Sequence, residues 1–370
     1  MKIPYGKQTI DDTDIAAVIE TLKSDFLTQG PKIKEFEEKF AKYVGSKYAV
    51  AVSNGTAALH LACLTLGLRE GDEFITTPLT FAASSNCGLY CGAKPIFADI
   101  DERGLLNELE IENKISLKTK LIIPVHYSGF VCNMEKIKEI AEKHSLKIIE
   151  DSCHALGAEY KNSKIGDCAY SDISIFSFHP VKHIATGEGG MLTTNSKEIY
   201  DKLILLRSHG IEKKDKWGQD MTCLGYNYRI TDIQCALGIS QLNKLNAFLK
   251  QRRNIANYYD CAFKNNSSIE IISPLKDEHA SYHLYVIKVK NSETREKLYD
   301  FLKENNIFCQ VHYPLVYFHS YYKNLGYKEG ICPNAEKLYN QILSIPIFPS
   351  LTKEEQDYVI AKIDEFFKIN

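Results

Sequence analysis

Between about residues 10 and 195 the chain alternates helical and strand-like patterns, and few architectures accept that pattern. Residues 11–25 and 34–44 place apolar side chains at helical spacing. A short apolar run, 48–53, leads into a helix over 55–68 that opens at Gly-Thr. Strands follow at 73–77 and 95–99, with a helix over 81–90 between them. Strands at 121–126 and 147–151 flank a helix over 134–144, and a further apolar, β-rich run covers 172–178. The alternation predicts an α/β domain with a mostly parallel sheet flanked by helices. Ligands in such sheets sit at the carboxyl ends of the strands. A long helix over 231–263, with Thr231 or Asp232 as its cap, ends the alternation. Beyond it come a strand over 283–290, a helix over 293–305 capped by Ser292, a strand over 309–312 and a closing helix over 352–368. This is a smaller α+β unit, so the expected division is a large domain, 1–245, and a small C-terminal domain, 246–370.

At 370 residues the chain can bury a core large enough to shield a cofactor. Its formal net charge of −2 gives no reason to expect a polyanion, and lysine-rich residues 212–216 read as solvated surface. No apolar run reaches the roughly 18 residues that a membrane span needs, and no signal precedes the first helix, so a cytoplasmic location is expected. The 11 cysteines are scattered, with no C-x-x-C, as reduced buried thiols would be. Asp151, Cys153 and His154 lack the spacing of a closed zinc site, so no metal is expected.

Four segments carry chemistry. Ser53-Asn54-Gly55-Thr56-Ala57 joins a strand end to a helix start, where free N–H groups and the helix dipole favour a phosphate. An ordinary helix cap explains the same residues. Asp151 closes the apolar strand 147–151, where a carboxylate can pair with a protonated pyridine nitrogen; a helix cap is again the simpler alternative. Lys182 stands at the mouth of the 172–178 strand, after Ser177 and His179 and ahead of Gly187-Glu188-Gly189-Gly190. Desolvated lysines become usable amines and form Schiff bases with carbonyl compounds, pyridoxal phosphate (PLP) among them. A strand-end lysine that merely snorkels to water is the plainer reading of the residue by itself. The fourth segment, 225–232, precedes the long helix.

Order and spacing join these segments: a phosphate turn near 55, an acid near 151 and an amine near 182. N-G-T-A-A-L (54–59), T-P-L-T-F-A-A (77–83), E-D-S-C-H-A-L-G (150–157), F-S-F-H-P-V-K (176–182), G-E-G-G (187–190), R-S-H-G (207–210) and G-Y-N-Y-R-I-T-D-I-Q-C-A-L-G (225–238) together resemble the DegT/DnrJ/EryC1/StrS nucleotide-sugar aminotransferases. The resemblance runs from about Tyr5 to the end. L-T-Q-G (27–30) and Q-V-H-Y-P (310–314) are most similar to the branch that aminates C4 of a UDP-2-acetamido-2,6-dideoxy-4-keto-hexose on the way to pseudaminic acid.

The resemblance implies a fold-type I PLP aminotransferase, passing through pyridoxamine phosphate, with L-glutamate as donor and 2-oxoglutarate as by-product. It makes Lys182 the Schiff-base lysine and proton carrier, and Asp151 the partner of the pyridine nitrogen. Gly55, Thr56, Ala57 and Ser177 would hold the phosphate, Phe81 would stack on the ring, and His154 would reach the ring hydroxyl where many relatives carry Gln. Asn227 would contact the phosphate of the other subunit's cofactor, which makes the enzyme a homodimer with a composite site. Thr28, His312 and Tyr313 fall in segments that border the pocket in relatives. Arg229 is the first candidate for the glutamate carboxylates, ahead of Arg207, because a guanidinium fork suits a carboxylate. His179, His209 and His283 are expected to be structural. Two enzyme alternatives stay open: C4 amination of the D-xylo epimer, as for bacillosamine-type sugars, and amination at C3. A PLP-binding regulator without catalysis is a third; the intact Lys182, Asp151 and Ser177 speak against it.

Overall fold

The computed structural model describes residues 2–369. Helix α1, Asp12–Leu22, opens on a capping box in which the Asp11 side chain accepts from the first turn and Asp14 returns the bond. Helix α2, Pro31–Val44, has proline in its first turn and stops at Gly45, whose φ of 92° suits a left-handed cap. The alternation then unfolds as strand β1, Tyr48–Val52; helix α3, Gly55–Thr65; strand β2, Glu73–Thr76; helix α4, Ala83–Leu89; strand β3, Lys94–Phe97; strand β4, Thr119–Ile123; helix α5, Met134–His144; and strand β5, Lys147–Asp151. Strands β6, Ile173–Ser177, and β7, Gly190–Thr194, complete one seven-stranded sheet in the order β1-β7-β6-β5-β4-β2-β3. Only β7 runs against the rest, pairing antiparallel with both β1 and β6. The expected mostly parallel sheet is therefore present.

Both faces of the sheet are covered, which is why its strands are apolar at consecutive positions. Along β1, Ala49 and Ala51 point into one core with Phe36, Phe40 and Phe176, while Val50 and Val52 point into a second core with Leu59, Ala62 and Leu192. Helix α6, Lys197–Arg207, closes the second core with Leu203 and Leu206. A two-stranded hairpin, β8 Ile211–Lys213 and β9 Gln219–Met221, stands at the surface. Helix α7, Asp232–Phe263, begins at Thr231 with a second capping box through Gln234.

The expected boundary near 245 falls inside this unbroken helix. It packs on α1 and α2 and also on helix α9, Lys353–Ile369. The C-terminal region adds a small antiparallel sheet of β10 Glu270–Ile271, β11 Tyr285–Lys288 and β12 Ile342–Ile345, with helix α8, Ser292–Glu304, beside it. Ile3 bridges to Ile307, so the first residues lie along this region and not along the large sheet.

Three local expectations are corrected. The cap of α8 is Asn291, not Ser292, because the Asn291 side chain accepts from Thr294 N–H. Residues 309–312 form no strand: only Gln310 pairs, with Ser344. Residues 81 and 82 lie outside α4, which starts at Ala83. No helix among the described residues is long and apolar enough to cross a membrane.

Candidate active site

The carboxyl ends of the parallel strands meet in a cavity of about 720 Å³. Asn54, Gly55 and Thr56 enter it from the end of β1. Thr80, Phe81 and Ser84 follow β2, Asp151 and His154 come from the end of β5, and Ser177 and Lys182 from the end of β6. Tyr5, His283, His312 and Tyr313 close it from the C-terminal side of the fold.

The start of α3 opens onto this cavity. The first N–H groups of a helix have no partner in the helix itself. Asn54 caps α3 by accepting from Ala57 N–H at 2.8 Å, which commits the Ala57 donor; Gly55 and Thr56 line the cavity together with Ser177. The expectation that Ala57 also donates to a phosphate is not supported by this arrangement. Glycine is required here by space: a Cβ on Gly55 would lie 2.9 Å from Ser177 Cβ and 3.5 Å from Cys153 Sγ. Gly190, at the start of β7, approaches the same cap so closely that a Cβ would sit 2.5 Å from the Asn54 carbonyl oxygen. The G-E-G-G segment thus lets the returning strand lie against the anion turn.

Asp151 is buried at the last position of β5. Ser84 Oγ donates to one carboxylate oxygen at 2.6 Å and Cys153 N–H to the other at 3.2 Å, so the carboxylate plane is held from two sides. The Lys182 side chain reaches into the cavity and its Nζ lies 3.4 Å from His283 Nε2. Burial holds the amine below the ordinary lysine range, with Arg252 adding to the effect and Asp151 opposing it.

His154 is neutral for the same reason, burial first and the charge of Lys182 second. Its Nδ1 accepts from Ser128 N–H at 3.3 Å. The proton of the neutral ring is then on Nε2, which donates to the Tyr313 hydroxyl at 3.0 Å. Both ring nitrogens are engaged, so the expected contact of His154 with a ring hydroxyl has no free nitrogen to make it. The Tyr313 O–H is left to donate into the cavity. Phe81 is 62% exposed and stands at the mouth, its ring tilted against Tyr313 at 6.1 Å. His312 is buried, hydrogen-bonded through Nδ1 to Ser344 Oγ at 2.9 Å and tilted against Tyr5 at 5.2 Å.

Three expected residues do not join this group within one chain. Thr28 is exposed and bridges Thr231 at the start of α7. Asn227 is exposed and bridges Ser208. Arg229 lines a separate cavity of about 550 Å³ together with Arg207, Glu37 and Tyr48. Arg207 is committed there: its Nη1 donates to Glu37 Oε1 at 2.6 Å and to the Ala51 carbonyl at 2.7 Å. His283, read as structural, is instead the residue that touches Lys182. Its sequence neighbours offer no signal of this, since it is brought to the site from 101 positions away.

A helix start with open N–H groups beside a serine hydroxyl, a buried carboxylate and a desolvated amine around one cavity suit the phosphate, ring nitrogen and aldehyde of PLP. The DegT/DnrJ/EryC1/StrS aminotransferase family model matches residues 8–364. The chain belongs to this family.

It is 42% identical to the UDP-4-amino-4,6-dideoxy-N-acetyl-beta-L-altrosamine transaminase of Campylobacter jejuni strain 81-176, over 96% of this chain and 95% of that protein. It is 39% identical to the GDP-perosamine synthase of Escherichia coli O157:H7, over 99% and 98%. The solved Helicobacter pylori PseC, an aminotransferase of pseudaminic acid biosynthesis, superposes with a TM-score of 0.96 at 34% identity, with both chains fully covered. Other solved structures, at 30% identity and TM-scores of 0.95 and 0.94, are of a PLP form and a PMP form. The chain is a PLP-dependent nucleotide-sugar aminotransferase of the fold this family shares.

Proposed function

We propose that the chain transfers the amino group of L-glutamate to C4 of a UDP-2-acetamido-2,6-dideoxy-4-keto-hexose of β-L-arabino configuration, as in pseudaminic acid biosynthesis. The Lys182 amine and the Asp151 carboxylate facing one cavity, with the α3 start beside them, carry the chemical part of this reading. The names of the Campylobacter and Helicobacter relatives support the substrate.

PLP, when bound, supplies an electron sink for the carbon that exchanges a proton. Gly55 and Thr56 N–H groups and Ser177 Oγ bind its phosphate, and Asp151 keeps a proton on its pyridine nitrogen by charge pairing. Phe81, at the mouth of the cavity, would offer its ring to that of the cofactor. Lys182 removes and returns the proton at the substrate carbon, and its burial favours the neutral amine that this task needs. Tyr313 and His312 offer polar atoms to the sugar. A second copy of the chain brings Asn227, and with it the exposed Thr28 and the half-buried Arg229, to complete the site; Arg229 then takes a glutamate carboxylate.

The test is incubation of the protein with PLP, L-glutamate and the UDP-4-keto-6-deoxy-L-arabino sugar, followed by NMR. The expected product is the L-altro 4-amine, lost in Lys182→Ala. Turnover of only the D-xylo epimer or of a 3-keto sugar overturns the substrate assignment. Failure of glutamate to bleach the Schiff-base absorbance overturns the donor.

A further inference from the structure

Three buried histidines cluster beside Lys182, and among the described residues no carboxylate is hydrogen-bonded to any of them. His283 Nε2 is 3.4 Å from Lys182 Nζ. The His154 ring lies against His283 at a centroid distance of 4.2 Å, and the His183 ring at 5.6 Å. His183 Nε2 contacts the Ser281 carbonyl oxygen at 3.2 Å, and His154 is tied to Ser128 and Tyr313. The second nitrogen of His283, Nδ1, is buried and has no partner among the described residues. A lone buried nitrogen costs stability, so something else must favour keeping the imidazole in this place.

The backbone is arranged to hold it there. Tyr282, immediately before His283, sits at φ 49°, in the left-handed region that a tyrosine enters only under constraint. Buried Arg252 of α7 supplies that constraint. Its Nη1 donates to the carbonyl oxygens of Tyr282, His283 and Ile347 at 3.1, 3.2 and 3.2 Å. Arg253 adds bonds to Ala280 and Gly157 carbonyls, both at 3.0 Å. The long helix therefore clamps residues 280–283 against the cavity.

We propose that His283 is a positioning residue for Lys182: its neutral imidazole accepts a hydrogen bond from Nζ whenever the amine is free of the cofactor. This holds the amine over the cavity between the two halves of the reaction. The proposal rests on the assignment of Lys182 as the proton carrier, but not on which sugar is used. Lys182 has His283 within hydrogen-bond reach as acceptor and also feels Asp151, Cys153 and the fixed charge of Arg252. His283 faces Lys182, His154, His183 and Arg252, so cations or neutral rings surround it and nothing on these elements stabilises a protonated imidazole.

The test is the pH dependence of Lys182 acylation by acetic anhydride, read by peptide mass spectrometry on the full-length protein with and without pyridoxamine phosphate. His283→Phe removes an acceptor from the ammonium form, so the midpoint should fall by about one pH unit or more. His283→Gln keeps an acceptor and should return most of the shift. In the glutamate half-reaction His283→Phe should lower the rate constant about tenfold with the glutamate KM unchanged. An unchanged midpoint in His283→Phe, an upward shift, or equal shifts in Phe and Gln overturns the proposal. If His283→Phe does not fold, His283→Gln against His283→Asn decides it, since the shorter amide cannot reach Nζ and should show the downward shift alone. The labelling needs no sugar, so failure of the substrate assignment would leave this result standing.

Discussion

Gly55→Ala isolates the anion turn from the rest of the site. The new Cβ would stand 2.9 Å from Ser177 Cβ, against about 3.5–4.0 Å for a relaxed carbon contact. Neither side can yield cheaply. Ser177 is registered against Gly190 in the sheet, and Phe178 N–H donates to the Gly189 carbonyl at 2.8 Å. Gly190 in turn presses on the Asn54 carbonyl that begins α3. Overpacking of this kind costs roughly 1–3 kcal/mol. With no phosphate to hold, the start of α3 can relieve only part of this cost by shifting away from Ser177. A bound phosphate needs the N–H groups and the serine hydroxyl together, so the cost should appear in binding. At 1.36 kcal/mol per tenfold, PLP affinity should fall by about 5- to 150-fold. Titration of cofactor-free protein with PLP, followed by absorbance, measures it. Ser177→Gly removes the opposing Cβ, so the double variant should bind better than the product of the two single losses allows, with a coupling of about 1 kcal/mol or more. An affinity within twofold of the parent, or strictly additive losses, would refute the steric account of Gly55.

Two further outcomes follow from buried charge. Burial pushes His154, His183 and His283 well below the usual histidine value of 6.5, and His312 down to about 3. The unfolded chain therefore binds more protons than the folded one as pH falls below 6.5. The stability these rings contribute is complete above pH 6.5 and is lost on acidification, for His312 until about pH 3. Each adds up to about 1.4 kcal/mol per pH unit to the slope. Urea unfolding at pH 7.5, 6 and 5 should show this, with a shallower slope in His312→Asn; equal slopes would contradict it. Arg207→Leu strands the Glu37 carboxylate, which is buried and, among the described residues, otherwise bonded only to Ala51 N–H at 2.9 Å. A loss of about 3–5 kcal/mol is expected in denaturant titration, with much of it recovered by a second change, Glu37→Leu; a loss under 1 kcal/mol would mean that the pair is solvated.

The parallel sheet was legible because a strand covered on both faces must be apolar at consecutive positions, as 48–52, 121–123 and 148–149 are. The start of α3 and the end of β5 were legible because the turns that end strands leave their mark in adjacent residues: Asn54-Gly55-Thr56, which enters a helix, and Glu150-Asp151-Ser152, which enters a loop. The weaker elements were not. β7 begins at a glycine that the close approach to Asn54 requires, directly after a glycine-rich turn, and the cap of α8 turned on which of two neighbouring polar residues, Asn291 or Ser292, found the donor. Arg207 and Arg229 stand in similar motif surroundings, yet only the fold reveals that Arg207 answers a buried glutamate 170 positions away.

That Lys182, Asp151 and the Asn54-Gly55-Thr56 turn stand near the ends of successive strands could thus be read along the chain, since local sequence sets local backbone. What surrounds the amine was decided in three dimensions. His283, the Arg252 clamp and the tie between Tyr313 and His154 come from segments far apart in sequence, and the desolvation that tunes Lys182 exists only where they close over it. Burial and long-range contact depend on the packed whole, so no local pattern records them.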